Sequence, residues 1–161
     1  MMAFYQFKRT QEITGSLSEV WDFISTPVNL KEITPDYMGF QIISEGLPDK
    51  MYAGMMIRYK VNLLPGISSS WVTEITQVKE HSYFVDEQRI GPYKMWHHQH
   101  FIEPTPHGVQ MTDIVSYEPP LGILGRLANK LLIDSELKKI FNFRTMAIER
   151  QFKNDKGDRV N

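Results

Sequence analysis

The 161-residue sequence contains no cysteine. That excludes disulfides, thiolate nucleophiles and cysteine-held zinc or iron–sulfur centres. No window approaches the roughly 18 apolar residues of a spanning helix. The first residues, Met-Met-Ala-Phe-Tyr-Gln-Phe-Lys-Arg, lack the basic start and apolar run of a signal peptide, so none is expected. An excess of charge of one sign is missing too: the formal net charge is -1, which offers nucleic acid no electrostatic footing. Glycine-rich phosphate loops, serine-nucleophile elbows, dinucleotide fingerprints and fixed-period repeats are all absent. The expectation is a soluble cytoplasmic domain without nucleic-acid partner or transmembrane segment.

What is present is ordinary in bulk, 42% hydrophobic and 23% charged, and long enough to bury a core. One domain is expected over residues 1–153, with 154–161 a disordered tail. Residues 4–13 are rich in aromatic and β-favouring side chains and predict a strand. Ser16 or Ser18 caps a short helix in which Val20, Phe23 and Ile24 form one stripe, with Trp21 beside it. Thr26-Pro27 starts a second short helix through about Ile33, and Thr34-Pro35 ends it. Strands are then expected at 38–46, 55–64, 69–79, 82–89, 93–103 and 109–118, separated by glycine and proline turns. Without helices between them, they form an antiparallel meander.

A helical stretch over roughly 123–152 closes the chain. Its stripe Leu124, Leu127, Leu131 loses phase near Asp134-Ser135 and resumes as Leu137, Ile140, Phe141 and Ile148, with Arg144 on the same face. The fold class is therefore α+β: a curled seven-stranded antiparallel sheet over a long C-terminal helix, with two short helices between strands 1 and 2. Side chains alone do not easily fill the space under such a helix, so an internal cavity is expected.

The richest segment is Gly91–Pro104, which carries Trp96 and three of the five histidines. Strand alternation puts Trp96, His98, His100 and Ile102 on one face and Met95, His97, Gln99 and Phe101 on the other. With a hairpin centred on Pro106, His100 lies opposite Asp113, His98 opposite Val115 and Trp96 opposite Tyr117, and Met111 extends the face. An opposed His100–Asp113 pair serves either as a self-satisfied structural pair or as an oriented acid–base. A metal is not expected. Only His98 and His100 can chelate together, and the third ligand would have to come from Asp113, His81 or His107. Glu74 is expected to be exposed, whereas Asp86-Glu87-Gln88 lies in a strand whose pattern selects neither face. The apolar connections Leu63–Ile67 and Leu121–Gly125 suit a tuck onto the core, a homodimer contact or transient contact with a membrane surface.

Phe84-Val-Asp-Glu-Gln88, Gly91-Pro-Tyr93, Trp96-His-His98, His100-Phe101 and Glu103-Pro104 together carry a resemblance. It continues through Met111-Thr-Asp113, Tyr117, Pro120-Leu-Gly122, Phe141 and Phe143-Arg144. The chain resembles the START-like, helix-grip (SRPBCC) superfamily, in particular its cyclase/dehydrase-like ligand-binding proteins. The resemblance implies a small apolar partner, such as a lipid, quinone or aromatic/polyketide-like molecule, held for transport, sensing or sequestration without a cofactor. On this reading Tyr59, Trp71, Trp96, His98 and His100 line the ligand site, joined by Met111, Asp113, Tyr117, Phe141 and Arg144. The alternatives are a cyclase, aromatase or dehydratase with catalytic His100 and Asp113, and a non-catalytic chaperone or assembly module.

Overall fold

A computed structural model describes residues 4–64, 67–120 and 132–157. Seven strands, β1 (Tyr5–Ile13), β2 (Gln41–Ile42), β3 (Met55–Leu64), β4 (Ile67–Lys79), β5 (Tyr83–Ile90), β6 (Met95–Thr105) and β7 (Gly108–Glu118), form one antiparallel sheet. Their order is β1-β7-β6-β5-β4-β3-β2, so the meander closes by bringing the first strand beside the last. Helix α1 (Leu17–Ile24) and the long helix α2 (Asp134–Gly157) complete the framework. Register shifts between Val72 and Thr73, and between Ile75 and Gln77, interrupt the β4–β5 ladder. Such bulges bend strands and help the sheet curl.

Local chemistry accounts for the elements. Ser16 caps α1: its Oγ accepts from the Glu19 amide at 3.2 Å, and Glu19 Oε2 accepts from the Ser16 amide at 2.9 Å. Two of the expected elements are shorter. The second helix is only a 3₁₀ turn, Pro27–Leu30, because Pro35 disfavours helix at Thr34 and leaves fewer than two turns. The expected strand 38–46 shrinks to Gln41–Ile42. Asp36–Met38 forms another 3₁₀ turn, and Gly39 follows in the left-handed region at φ 53°. The positive φ favours glycine, and a Cβ there would press on the Asn62 side-chain amide, 2.6 Å away.

Helix α2 begins at Asp134 and reaches Gly157, past the expected boundary at Asn154. The preceding stripe of Leu124, Leu127 and Leu131 and the Leu121–Gly125 connection lie outside the described residues, as do Pro65 and Gly66 of the other apolar connection. Leu137, Phe141, Arg144, Ile148 and Phe152 form the buried stripe of α2. The main core gathers α1, the Gly108 end of the β6–β7 hairpin and the C-terminal half of α2 around Val20, Trp21, Met111 and Ile148. Smaller clusters around Val115, Tyr117 and Phe141, and around Met38, Val61 and Trp71, occupy the other end. Buried polar side chains sit among these clusters: His98, His100, Asp113 and Arg144. No helix among the described residues is long and apolar enough to cross a membrane.

Candidate functional site

The register of the β6–β7 hairpin is the one its turn chemistry implied. Thr105 pairs Gly108 around Pro106-His107, His100 pairs Asp113, His98 pairs Val115 and Trp96 pairs Tyr117. On the other side, Phe84 pairs His100 and Asp86 pairs His98. Three adjacent strands thus send His98, His100, Asp113 and Asp86 to one face, and α2 lowers Arg144 onto them.

The contacts within this group run diagonally. His98 Nε2 donates to Asp113 Oδ1 at 3.0 Å, although His98 lies directly opposite Val115. His100 Nε2 donates to Asp86 Oδ2 at 2.7 Å, and its Nδ1 lies 2.9 Å from Asp113 Oδ1. His98 Nδ1 is 3.5 Å from Asp86 Oδ2. Arg144 places one terminal nitrogen 3.6 Å from Asp113 Oδ1 and 3.3 Å from His100 Nδ1. The rings are clamped: His98 and His100 centroids are 3.7 Å apart, and Phe84 stacks on His100 at 4.1 Å.

Burial and charge set the protonation pattern. Burial, reinforced by the neighbouring His100, pushes His98 down to about 4, so it is neutral at pH 7. Burial also opposes a charge on His100, but hydrogen bonds to Asp113 and Asp86 outweigh it and raise its pKa. Burial would raise Asp113, yet Arg144 first, then His100 and His98, hold it well below the usual carboxylate range. Asp86 is likewise lowered against burial, chiefly by its bond to His100. With His100 protonated, two carboxylates, one guanidinium and one imidazolium balance to zero. This closure lets so much charge sit inside an apolar shell.

Beside the cluster lies a cavity of about 160 Å³. Of the residues expected at the ligand site, Tyr59, Trp71, Trp96, His98 and His100 line it from the sheet, and Phe141 and Arg144 from α2. Met111, Asp113 and Tyr117 share the inward face but do not line it. Met111 packs in the main core, Asp113 sits behind the histidines, and Tyr117 packs against Tyr5 and Tyr93. These β7 positions belong to clusters with the side chains of α2, so they are packed under the helix rather than open to the cavity. The remaining walls are mainly apolar, with Ile57, Val61 and Phe84 among them. Tyr59 donates to or accepts from Thr73 Oγ1 at 2.9 Å, and burial, aided by the charge of Asp86, raises its pKa. Trp71 Nε1 and Arg144 Nε are buried without a hydrogen-bond partner among the described residues.

The member left unassigned by sequence pattern is Asp86. Phe84 and Val85 are each 2% exposed, so β5 offers no polar face from which to choose. The other histidines are elsewhere. His81 edges onto Trp21, and His107 is exposed in the hairpin turn. His97 points to the opposite face, 2.9 Å from Glu87. Arg89 there bridges Glu87 and Glu74, so Glu74 is half-buried in an ion pair rather than fully exposed.

No protein-family model matches the chain, and no curated protein matches it in sequence. Solved structures do. A protein from Nitrosomonas europaea superposes with a TM-score of 0.70 at 13% identity, covering 94% of this chain and 96% of that one. Ara h 8.0201 superposes with a TM-score of 0.64 at 13% identity over 94% of this chain and 99% of its own. A protein from Rhizobium leguminosarum gives 0.66 at 14% identity, over 93% and 97%. The chain has the START-like helix-grip fold.

Proposed function

We propose that the protein binds a small, largely apolar molecule whose polar end carries a hydrogen-bond acceptor, for transport, sensing or sequestration. The observation that carries this reading is the mainly apolar cavity whose walls include Trp71 and Arg144, two residues whose buried Nε1–H and Nε–H donors have no partner among the described residues. Donors with no acceptor among the described residues suit a carbonyl, carboxylate or phenolic oxygen from a ligand. At about 160 Å³ the space suits a compact ring system. A second, more apolar cavity of about 240 Å³ shares Met38 and Ile140 as walls with the first. A ligand that displaces these two side chains joins the spaces into the range of roughly 300–1,000 Å³ usual for small-molecule sites. Lipids, quinones and aromatic or polyketide-like compounds fit that description.

The test is to incubate the purified protein with a cell lipid extract, then measure retained mass by native mass spectrometry. Retention by the wild type and loss in Val61→Phe, which fills the cavity, supports the reading. An empty wild-type protein across extracts counts against it.

One observation favours acid–base catalysis as a second reading: His98 is neutral and its Nδ1 is 3.5 Å from any carboxylate, while both nitrogens of His100 are engaged. A cyclase, aromatase or dehydratase reaction would then use His98 as base beside the expected His100–Asp113 pair. Lost turnover with intact ligand affinity in His98→Ala and Asp113→Asn identifies it. Unchanged turnover in both eliminates it.

A further inference from the structure

The two imidazoles are oriented as a simple ion pair does not require. One nitrogen of each ring, His98 Nε2 and His100 Nδ1, is turned toward the same oxygen, Asp113 Oδ1, at 3.0 and 2.9 Å. The opposite nitrogens, His98 Nδ1 and His100 Nε2, face Asp86 Oδ2 at 3.5 and 2.7 Å. Asp86, His98 and His100 each offer a ligand atom within 4.8 Å of those of the other two. Metal-bound histidines commonly give their second nitrogen to a carboxylate, which sets the tautomer and leaves the other lone pair for the ion. Here one carboxylate is placed to do so for both rings.

We propose that Asp86, His98 and His100 form a site for a single divalent first-row transition-metal ion, with Asp113 as the carboxylate that orients both imidazoles. Two imidazoles and one carboxylate favour zinc, cobalt(II), nickel or iron(II) over magnesium or calcium, which prefer all-oxygen sites. Tetrahedral coordination with bonds of about 2.0–2.1 Å requires ligand atoms roughly 3.3–3.5 Å apart. The Asp86–His98 edge already has that length, and the Asp86–His100 edge of 2.7 Å is that of a hydrogen bond. Binding exchanges the proton held between His100 and Asp86 for the ion; those two groups separate by about 0.6–0.8 Å to the tetrahedral edge, and the two imidazoles, now 3.7 Å apart at their centroids, part to about 5 Å so that both lone pairs meet at the ion. Asp86 is 16% exposed at its side chain, the least enclosed of the three, and has room to move.

Three protein ligands leave coordination positions open, as in catalytic rather than structural zinc sites. All three ligand residues line the 160 Å³ cavity, so a fourth ligand enters from there. Trp71 and Arg144, each with a buried donor that has no partner among the described residues, are walls of the same cavity. The third ligand comes from β5, not from Asp113, His81 or His107, which is why histidine spacing alone did not reveal the site.

The experiment uses untagged full-length protein stripped with EDTA and titrated with cobalt(II) and zinc. Expected is one ion per chain with Kd below about 1 μM, and a visible cobalt spectrum of four- or five-coordinate type. His98→Ala and Asp86→Asn should lose at least about 100-fold in affinity, and Asp113→Asn about 10–100-fold. His97→Ala, on the opposite face, should bind as the wild type does. Should a ligand variant fail to fold, histidine NMR of the wild type decides: cobalt must broaden His98 and His100 and spare His97 and His81. No saturable site, sites retained in His98→Ala, or broadening centred on His97 overturns the proposal. Lipid retention by the metal-free wild type separates the two readings, because it preserves the ligand pocket while the metal titration alone fails.

Discussion

Replacing Asp113 by Asn keeps the shape of a buried side chain and removes its charge. Asp113 is 7% exposed at its side chain and holds Arg144 at 3.6 Å, His98 at 3.0 Å and His100 at 2.9 Å. The amide oxygen can still accept from His98, so that bond survives. What is lost is the negative charge opposite Arg144, itself only 10% exposed at its side chain and without another carboxylate partner among the described ion pairs. Breaking a buried pair from one side costs about 3–5 kcal/mol. Asp86 remains and His100 can shed its proton, which brings the expected loss to about 2–4 kcal/mol. For a domain of this size 1 kcal/mol corresponds to about 2–4 °C, so Tm should fall by roughly 6–12 °C for a loss near 3 kcal/mol. The assay is thermal and urea unfolding of wild type, Asp113→Asn, Arg144→Met and the double variant, with a coupling energy of about 1–3 kcal/mol expected. The pH dependence has a definite sign. Because the folded state lowers the Asp113 pKa, its stabilisation is present above the ordinary value of 3.8 and is lost as pH falls below it. Wild type and variant should therefore converge in acid. A Tm change under 1 °C, or additive losses in the cycle, would refute the view that Asp113 anchors the cluster.

Other measurements test the fold and the cavity. Val61, 3% exposed and lining the cavity, should accept Phe at a cost of about 1–3 kcal/mol by urea unfolding, with ligand retention abolished. Ser16→Ala removes half of a capping box and should cost about 1 kcal/mol in the same assay. Alkaline titration followed at 295 nm should leave Tyr59 and Tyr93 protonated until the protein unfolds, since burial raises both. The unfolded chain releases those protons and the native state keeps them, so stability should fall as pH rises above about 10. Normal ionisation of all seven tyrosines in the native protein would contradict that burial.

Much of the site was legible because β6 and β7 each have one wet face. Trp96, His98 and His100 alternate with Met95, His97 and Gln99, and a hairpin centred on Pro106 gives the register that the structure has. The Leu137–Ile148 stripe of α2 likewise placed Arg144 inward before any contact was known. Asp86 was not legible: buried Phe84 and Val85 erase the alternation of β5, and interruptions in the β4–β5 ladder alter which residues face inward. Met111 and Tyr117 were placed on the inward face, yet sharing a face does not make a residue a cavity wall where helix side chains already pack over it.

The sequence by itself determined the order of the elements, the inward pair of histidines and the opposition of His100 to Asp113. Those follow from local rules, namely period-two alternation, turn chemistry and the helical stripe. Only the tertiary structure decided that Asp86 meets His100 from β5 at 2.7 Å, and that Asp113 holds both imidazoles from behind. It also decided that a cavity opens between α2 and the sheet beside two unpartnered donors. These depend on diagonal reach across three strands and on curvature, which no single segment encodes because each arises from elements distant in the chain.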